Sequence, residues 1–259
     1  MALTQNFKRN SFVLSSLVTK DFKLKYRRSI LGVVWSILNP LLMMIVLSAV
    51  FSSLLRFDGE IENFPLYLIL GNTLFGFMSS STTDAMYSII SAAPLIKKIR
   101  VEKIIFPIEK VLFALVNFAI SLIAVILVML FFQVVPTPAL LFLPLLIVYV
   151  TIFCMGLGMA LSALSVFFRD VTHLWGVIIT AWTYATPLFY PLSILPAGTF
   201  EIMQFNPMYH YVTYFRDIAL WGNVPGLETN LLCLAMAVIT FGIGFLIFRK
   251  TEKRFILYV

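Results

Sequence analysis

Two histidines, two cysteines and an acid at the end of an apolar stretch are the first side chains of this 259-residue sequence to consider for metal, thiol or proton chemistry. His173 and His210 stand singly and far apart, which suits interfacial or helix-packing residues better than a ligand pair. Cys154 and Cys233 both fall inside apolar runs, so neither a disulfide framework nor a metal site follows from them. Asp84 closes the polar run Ser79-Ser80-Ser81-Thr82-Thr83 about twenty residues after Phe64, a distance that brings it out near a membrane surface. That position favours an interfacial carboxylate over a proton relay. No Gly-x-x-x-x-Gly-Lys-Ser/Thr loop, His-Glu-x-x-His, Gly-x-Ser-x-Gly or Cys-x-x-Cys occurs, so neither catalysis nor a bound metal or cofactor is expected of this chain. Any transport against a gradient must draw on a partner or on coupled ions, and no stretch shows the paired buried acids that ion coupling usually needs.

The elements that must carry these residues follow from composition. A chain that is 61% hydrophobic and 12% charged lacks the polar surface of a soluble domain. Apolar stretches at about 32–55, 64–90, 104–132, 139–168, 172–190 and 231–248 are each about long enough for a membrane-crossing helix. The expected fold is therefore an all-α integral membrane protein with six transmembrane helices. A barrel would instead show alternating segments of roughly ten residues.

Charge orients the spans. Of nineteen Lys and Arg residues, seven precede residue 32, five lie between Lys97 and Lys110, Arg169 sits at a third break, and Arg249, Lys250, Lys253 and Arg254 close the chain. Only Arg56 and Arg216 fall on the other breaks. Basic loops stay in the cytosol during insertion, so both termini are predicted to be cytosolic in a multi-pass protein of the cytoplasmic membrane. The net charge of +7 follows this topology, which points to anionic lipid and not to nucleic acid. No cleavable signal is expected in residues 1–31, which are long, polar and basic.

Within 1–31, Phe7, Leu14, Val18 and Phe22 share one helical face with Leu17 at its edge, while Arg9, Lys20, Lys23 and Arg27 share the other. This predicts an amphipathic helix on the inner interface, an ordinary basic anchor being the alternative. Asp21 and Lys25 interrupt its apolar side. Pro94 opens Leu95-Ile96-Lys97-Lys98-Ile99-Arg100-Val101-Glu102-Lys103, a short basic helix that a soluble partner could grip or that simply obeys the charge rule. Pro191 to Asn230 is apolar yet lies outside by topology, with Glu201, Arg216, Asp217 and Glu228 as its charges. Short helices broken at Pro196, Pro207 and Pro225 and dipping into the membrane boundary are expected there, with Met208, Tyr211, Val212, Phe215 and Ile218 on a helical period. The fifth span should kink near Thr186-Pro187 and Pro191. Trp175, Trp182, Tyr184, Phe189 and Tyr190 gather on that span and its outer end, where both a sugar-contacting and a lipid-facing role fit.

The run from Asp21 through Lys25-Tyr26-Arg27-Arg28-Ser29-Ile30-Leu31-Gly32-Val33-Val34-Trp35 to Pro40 resembles the entry to the first membrane helix of ABC-2 type permeases that export O-antigen, capsular polysaccharide and teichoic acid. Echoes of that family recur at Phe168-Arg169-Asp170-Val171, at Thr186 to Pro191 and at Phe205-Asn206-Pro207, so the resemblance covers essentially the whole chain. In residue terms, Tyr26, Arg27 and Arg28 would sit at the cytosolic headgroups before Gly32, with Trp35 as an anchor and Pro40 allowing a bend.

The resemblance implies a half-transporter: a homodimer with two copies of a separate ABC ATPase that holds the ATP and magnesium. It implies a coupling helix at about Pro94–Lys103, with Lys97, Lys98 and Arg100 facing the ATPase, an interface helix at about residues 7–28, and outer gate helices after Pro191 that include Phe205, Asn206 and Pro207. The implied substrate is a polyprenyl-diphosphate-linked polysaccharide. Export of teichoic acid or of a small amphiphile, or a scaffold with no transport role, remain the alternatives.

Overall fold

The computed structural model describes residues 2–27, 31–55, 61, 63–98, 101–194 and 198–258, and every regular element among them is helical. α1 (Ala2–Tyr26) is followed by a 3-10 turn, Gly32–Val34, and by α2 (Trp35–Leu55). Next come α3 (Phe64–Ser91), the four-residue α4 (Ala93–Ile96), α5 (Ile105–Phe131), α6 (Leu143–Phe167) and α7 (Val171–Ala185). Short helices α8 (Thr199–Met203) and α9 (Pro207–Arg216) and a π-helical turn, Asp217–Trp221, lead to α10 (Leu227–Thr251) and the terminal turn α11 (Phe255–Tyr258).

Among the described residues, four helical stretches are long and apolar enough to cross a membrane: Gly32–Phe51, Ile105–Phe131, Pro138–Phe167 and Leu227–Tyr258. The two other expected stretches differ for separate reasons. α3 has ample length at 28 residues, but it carries the serine–threonine run. Those hydroxyls are absorbed by the helix itself: Ser81 Oγ and Thr82 Oγ1 donate to the Met78 carbonyl at 3.0 and 2.7 Å. A polar sequence can therefore form the central helix, packed against α2, α5, α6, α7 and α9. α7 has only 15 residues, about 22 Å at the usual helical rise, and leaves the helix at Thr186 instead of continuing to Tyr190. The residue before a proline is driven to extended backbone, and Thr186 has φ −111° and ψ 133°.

α6 and α10 meet through bare backbone. An added Cβ on Gly156 would lie 2.5 Å from the Phe241 nitrogen, and one on Gly244 would overlap the backbone of Gly156. Two ends of the bundle follow from the packing. At one end Lys103 Nζ donates to the Glu252 carbonyl at 2.6 Å, and the Phe167 ring meets Phe255 and Tyr258 at 5.9 and 4.9 Å. α1 packs along the start of α5, with Asp21 on Lys110 and Leu17 against the apolar cluster that includes Phe106, so the α3–α5 link and both terminal elements share one end of the bundle, the basic end.

On α1, Leu14, Leu17, Val18 and Phe22 are half-buried while Lys20, Lys23 and Arg27 are exposed, in keeping with the amphipathic pattern; the Phe7 and Arg9 side chains lie outside the described residues. The excursion after α7 goes further into the protein than the sequence suggests. Met208, Tyr211, Val212, Phe215 and Ile218 are at most 1% exposed and join the main core with Leu66, Ile69 and Leu70. Pro207 opens α9 and Pro225 lies in the non-helical lead to α10, whereas Pro196 lies outside the described residues.

Candidate functional site

At the far end of the bundle, opposite the basic end, the short motifs after α7 converge on two polar pins. Asn206 is the first. Its carboxamide oxygen caps α9 by accepting from Met208 N and Tyr209 N at 3.0 and 3.4 Å, and accepts from Trp182 Nε1 at 2.7 Å. Its Nδ2 donates to the Ala185 carbonyl and to Thr186 Oγ1 at 3.1 and 3.0 Å. One amide thereby fastens the start of α9 to the last turn of α7.

Arg216 is the second pin, at 2% exposure. It reaches no carboxylate among the described residues. Its nitrogens donate to the carbonyls of Tyr67, Pro187 and Leu188 at 2.8–3.3 Å, and its guanidinium carbon lies 3.3 Å from the centre of the Tyr67 ring. Burial lowers its pKa to about 10, which leaves it a cation at neutral pH. The Tyr67 hydroxyl donates to Pro187 and Tyr190 carbonyls at 3.2 and 2.9 Å. Gly71 makes room for this clamp, since a Cβ there would lie 2.6 Å from Arg216 Nη2.

Asn206, the first pin, lines a cleft of about 540 Å³ that gathers Trp182, Tyr184, Tyr190, Phe205 and Pro207 around it. Tyr184 and Phe205 are 68% and 84% exposed there, so flat aromatic faces line an accessible hollow. Three of the five aromatics expected to face a channel thus meet all three expected gate residues. The other two go elsewhere: Trp175 is buried against Met86 and Leu161, and Phe189 stacks on Phe51 at 5.8 Å.

Nearer the basic end a second hollow, a groove of about 600 Å³, opens between α1, α2, α3 and α5. Tyr26, Trp35 and Pro40 line it, whereas Arg27 is exposed and Arg28 lies outside the described residues. Tyr26 does not turn to the surface. Its hydroxyl donates to Asn117 Oδ1 at 2.5 Å and lies 2.6 Å from Ser36 Oγ, while Lys25 Nζ donates to the same Asn117 oxygen at 3.2 Å. Gly32, just before α2, stands at φ +45°, a left-handed backbone that favours glycine. The charges that break the apolar side of α1 therefore have partners: Lys25 on Asn117, and Asp21 in an ion pair with Lys110, which also reaches the buried Glu109 at 3.3 Å. Asp84 is exposed beside Asp21, Lys25 and Lys110 in a hollow of about 570 Å³.

The basic segment after α3 is only partly helical. Pro94 lies in the first turn of α4, Lys97 and Lys98 follow it as exposed side chains, and Arg100 lies outside the described residues. Lys103 is already engaged, with its ammonium on the Glu252 carbonyl and 5.8 Å over the Phe255 ring. His173 is exposed, His210 Nε2 sits 2.7 Å from the Gln204 carbonyl, and both cysteines are buried; no group of three metal-ligating side chains occurs among the described residues. Sequence reasoning missed Arg216, Tyr67 and Asn117. For Arg216 a signal existed: a lone cation in an apolar excursion needs internal partners.

Helical bundles of this kind serve many purposes, and sequence comparison narrows the class. Residues 13–220 match the ABC-2 type transporter family, and the chain belongs to it. It is 27% identical over 244 residues to the O-antigen export system permease protein RfbA of Klebsiella pneumoniae, covering 94% of this chain and 93% of that protein. Similarity to the protein of the same name from Myxococcus xanthus is 29% over 245 residues, covering 94% of each chain. The polysialic acid transport protein KpsM of Escherichia coli is 20% identical over 258 residues, covering 95% of this chain and 96% of its own.

Proposed function

We propose that this chain is the membrane-spanning permease subunit of an ATP-driven exporter that moves a polyprenyl-diphosphate-linked, O-antigen-like polysaccharide across the cytoplasmic membrane. The observation that carries the reading is the near end-to-end similarity to permeases named for O-antigen export. In this reading α2, α3, α5, α6, α7 and α10 are six spans, the basic end faces the cytosol, and the cleft between Asn206 and Tyr184 faces outward. Gathering of both terminal elements and the Lys97–Lys110 link at one end supports an even number of crossings.

Two copies form the pathway with two copies of a separate ATPase beneath. The exposed apolar side chains of α2 and α7, among them Met43, Ile45, Val46, Leu174, Val177 and Ile178, give a second copy a surface to meet. ATP and magnesium belong to the ATPase. Exposed Lys97 and Lys98, with Arg100, take its thrust, and α1 lies against it as an interface helix. ATP binding then shifts the populations of closed and open states through α1, α4 and α5. At the outer end, Trp182, Tyr184, Tyr190 and Phe205 offer ring faces to successive sugars, while α8 and α9 act as gate helices.

Topology and assembly test this reading together. In a background lacking Cys154 and Cys233, single cysteines at Glu60 and Glu228 should react with an impermeant maleimide added outside, and cysteines at Lys98 and Lys253 should not. Purification with the partner ATPase should give a 2:2 complex. Outside labelling at Lys98, or a fully active 1:1 particle, rejects the arrangement.

A further inference from the structure

The groove between α1, α2, α3 and α5 contains polar groups that the fold itself does not use. By helical rise, Asn72 lies about 12 Å along α3 and Asn117 about 18 Å along α5, a depth at which hydrocarbon would surround an exposed amide. Asn39 and Asn72 line the groove, and their side-chain amides have no hydrogen-bond partner among the described residues. Thr73 is 6% exposed, lines the same groove, and its hydroxyl is buried without a partner. Each such group costs free energy unless something polar occupies the space.

The lining also states the occupant's chemistry. Among the described residues it contains amides, hydroxyls and the Trp35 indole, no carboxylate, and one cation, Lys25, beside the Tyr26–Asn117 pair. Amides that both donate and accept match sugar hydroxyls, an exposed indole offers a stacking face, and a lone ammonium suits a phosphate. A volume of about 600 Å³ is in the range that holds a small ligand. We propose that this groove binds the glycosyl phosphate head of the lipid-linked substrate, with sugar hydroxyls on Asn39, Asn72 and Thr73 and phosphate at Lys25. The site rests on the exporter reading above and adds where, within one protomer, the substrate's head is recognised.

The test uses the purified permease–ATPase complex in lipid nanodiscs and measures affinity for citronellyl diphospho-N-acetylglucosamine and for bare citronellyl diphosphate. Thr73→Val keeps the shape and removes a hydroxyl that bonds nothing in the protein, so the melting temperature should hold. Binding of the sugar-bearing probe should weaken about fivefold, the worth of one neutral hydrogen bond, and binding of the bare diphosphate should not change. Asn72→Leu should behave alike, whereas Lys25→Gln should weaken both probes. Unchanged affinity for the sugar-bearing probe in Thr73→Val and Asn72→Leu, or no binding to the unaltered complex, overturns the site. Equally strong competition by dihexanoyl phosphatidylglycerol also overturns it, because the groove then reads a phospholipid headgroup. None of these results touches the exporter reading, which fails instead if cells deleted for this chain still display their surface glycan.

Discussion

The guanidinium of Arg216 lies against the face of Tyr67, and both side chains donate to one carbonyl, that of Pro187, at 2.8 and 3.2 Å. The two residues are 149 positions apart, on α9 and α3, and the carbonyl belongs to the segment that follows α7. Three parts of the far end are therefore locked to one another by a cation that uses backbone dipoles in place of a counter-ion. Any movement of α7 against α3 must first break this clamp.

Replacing Arg216 by Met takes the guanidinium from the Tyr67 and Leu188 carbonyls and leaves Pro187 with the Tyr67 hydroxyl alone, and should cost about 3 kcal/mol. Arg216→Lys should recover little, because an ammonium has neither the planar fork that reaches these carbonyls nor the flat face that lies on the Tyr67 ring. Thermal unfolding of the purified protein measures both. An Arg216→Met protein as stable as the original would show that the clamp holds nothing.

Asn206 separates capping from pinning. Serine is as good a cap as asparagine, yet it is too short to serve α9, Trp182 and Ala185 together. Asn206→Ser should therefore lose stability by about 1–2 kcal/mol and free the Trp182 indole, visible as a change in tryptophan emission. If Asn206→Ser unfolds at the original temperature with unchanged emission, the residue is a cap alone.

Lys110 stands between Asp21 and Glu109, and Glu109 is 2% exposed. Removing the lysine strands a buried carboxylate, whereas removing Asp21 strands only a half-exposed ammonium that keeps Glu109. Lys110→Met should thus lower the melting temperature more than Asp21→Asn does, and adding Glu109→Gln to Lys110→Met should restore part of the loss. The reverse ranking would mean that Lys110 serves α1 rather than Glu109.

Much of this arrangement is legible in residue order, where the physics is local. The period of Met208, Tyr211, Val212, Phe215 and Ile218 marks a buried face, and Thr186-Pro187 marks the end of α7, although the apolar run through Tyr190 conceals how short that helix is. What periodicity cannot carry is pairing between distant helices. Asp21 and Lys25 look like flaws in an amphipathic pattern until Lys110 and Asn117, on α5, supply their partners. Asn39 on α2 likewise looks unrelated to the neighbours Asn72 and Thr73 on α3, because only the packing of α2 on α3 brings them to one groove.

The central claim is that this chain forms the path for a lipid-linked polysaccharide driven by a partner's ATP. The most direct measurement is transfer of lipid-linked glycan across proteoliposomes containing the permease–ATPase complex, read as glycan newly accessible to a glycosidase on the opposite face. Transfer should require ATP and fail when Lys97, Lys98 and Arg100 are all reversed to Glu, with the protein still inserted. ATP hydrolysis with no change in glycan accessibility, or transfer that proceeds unaltered without ATP, would contradict the account.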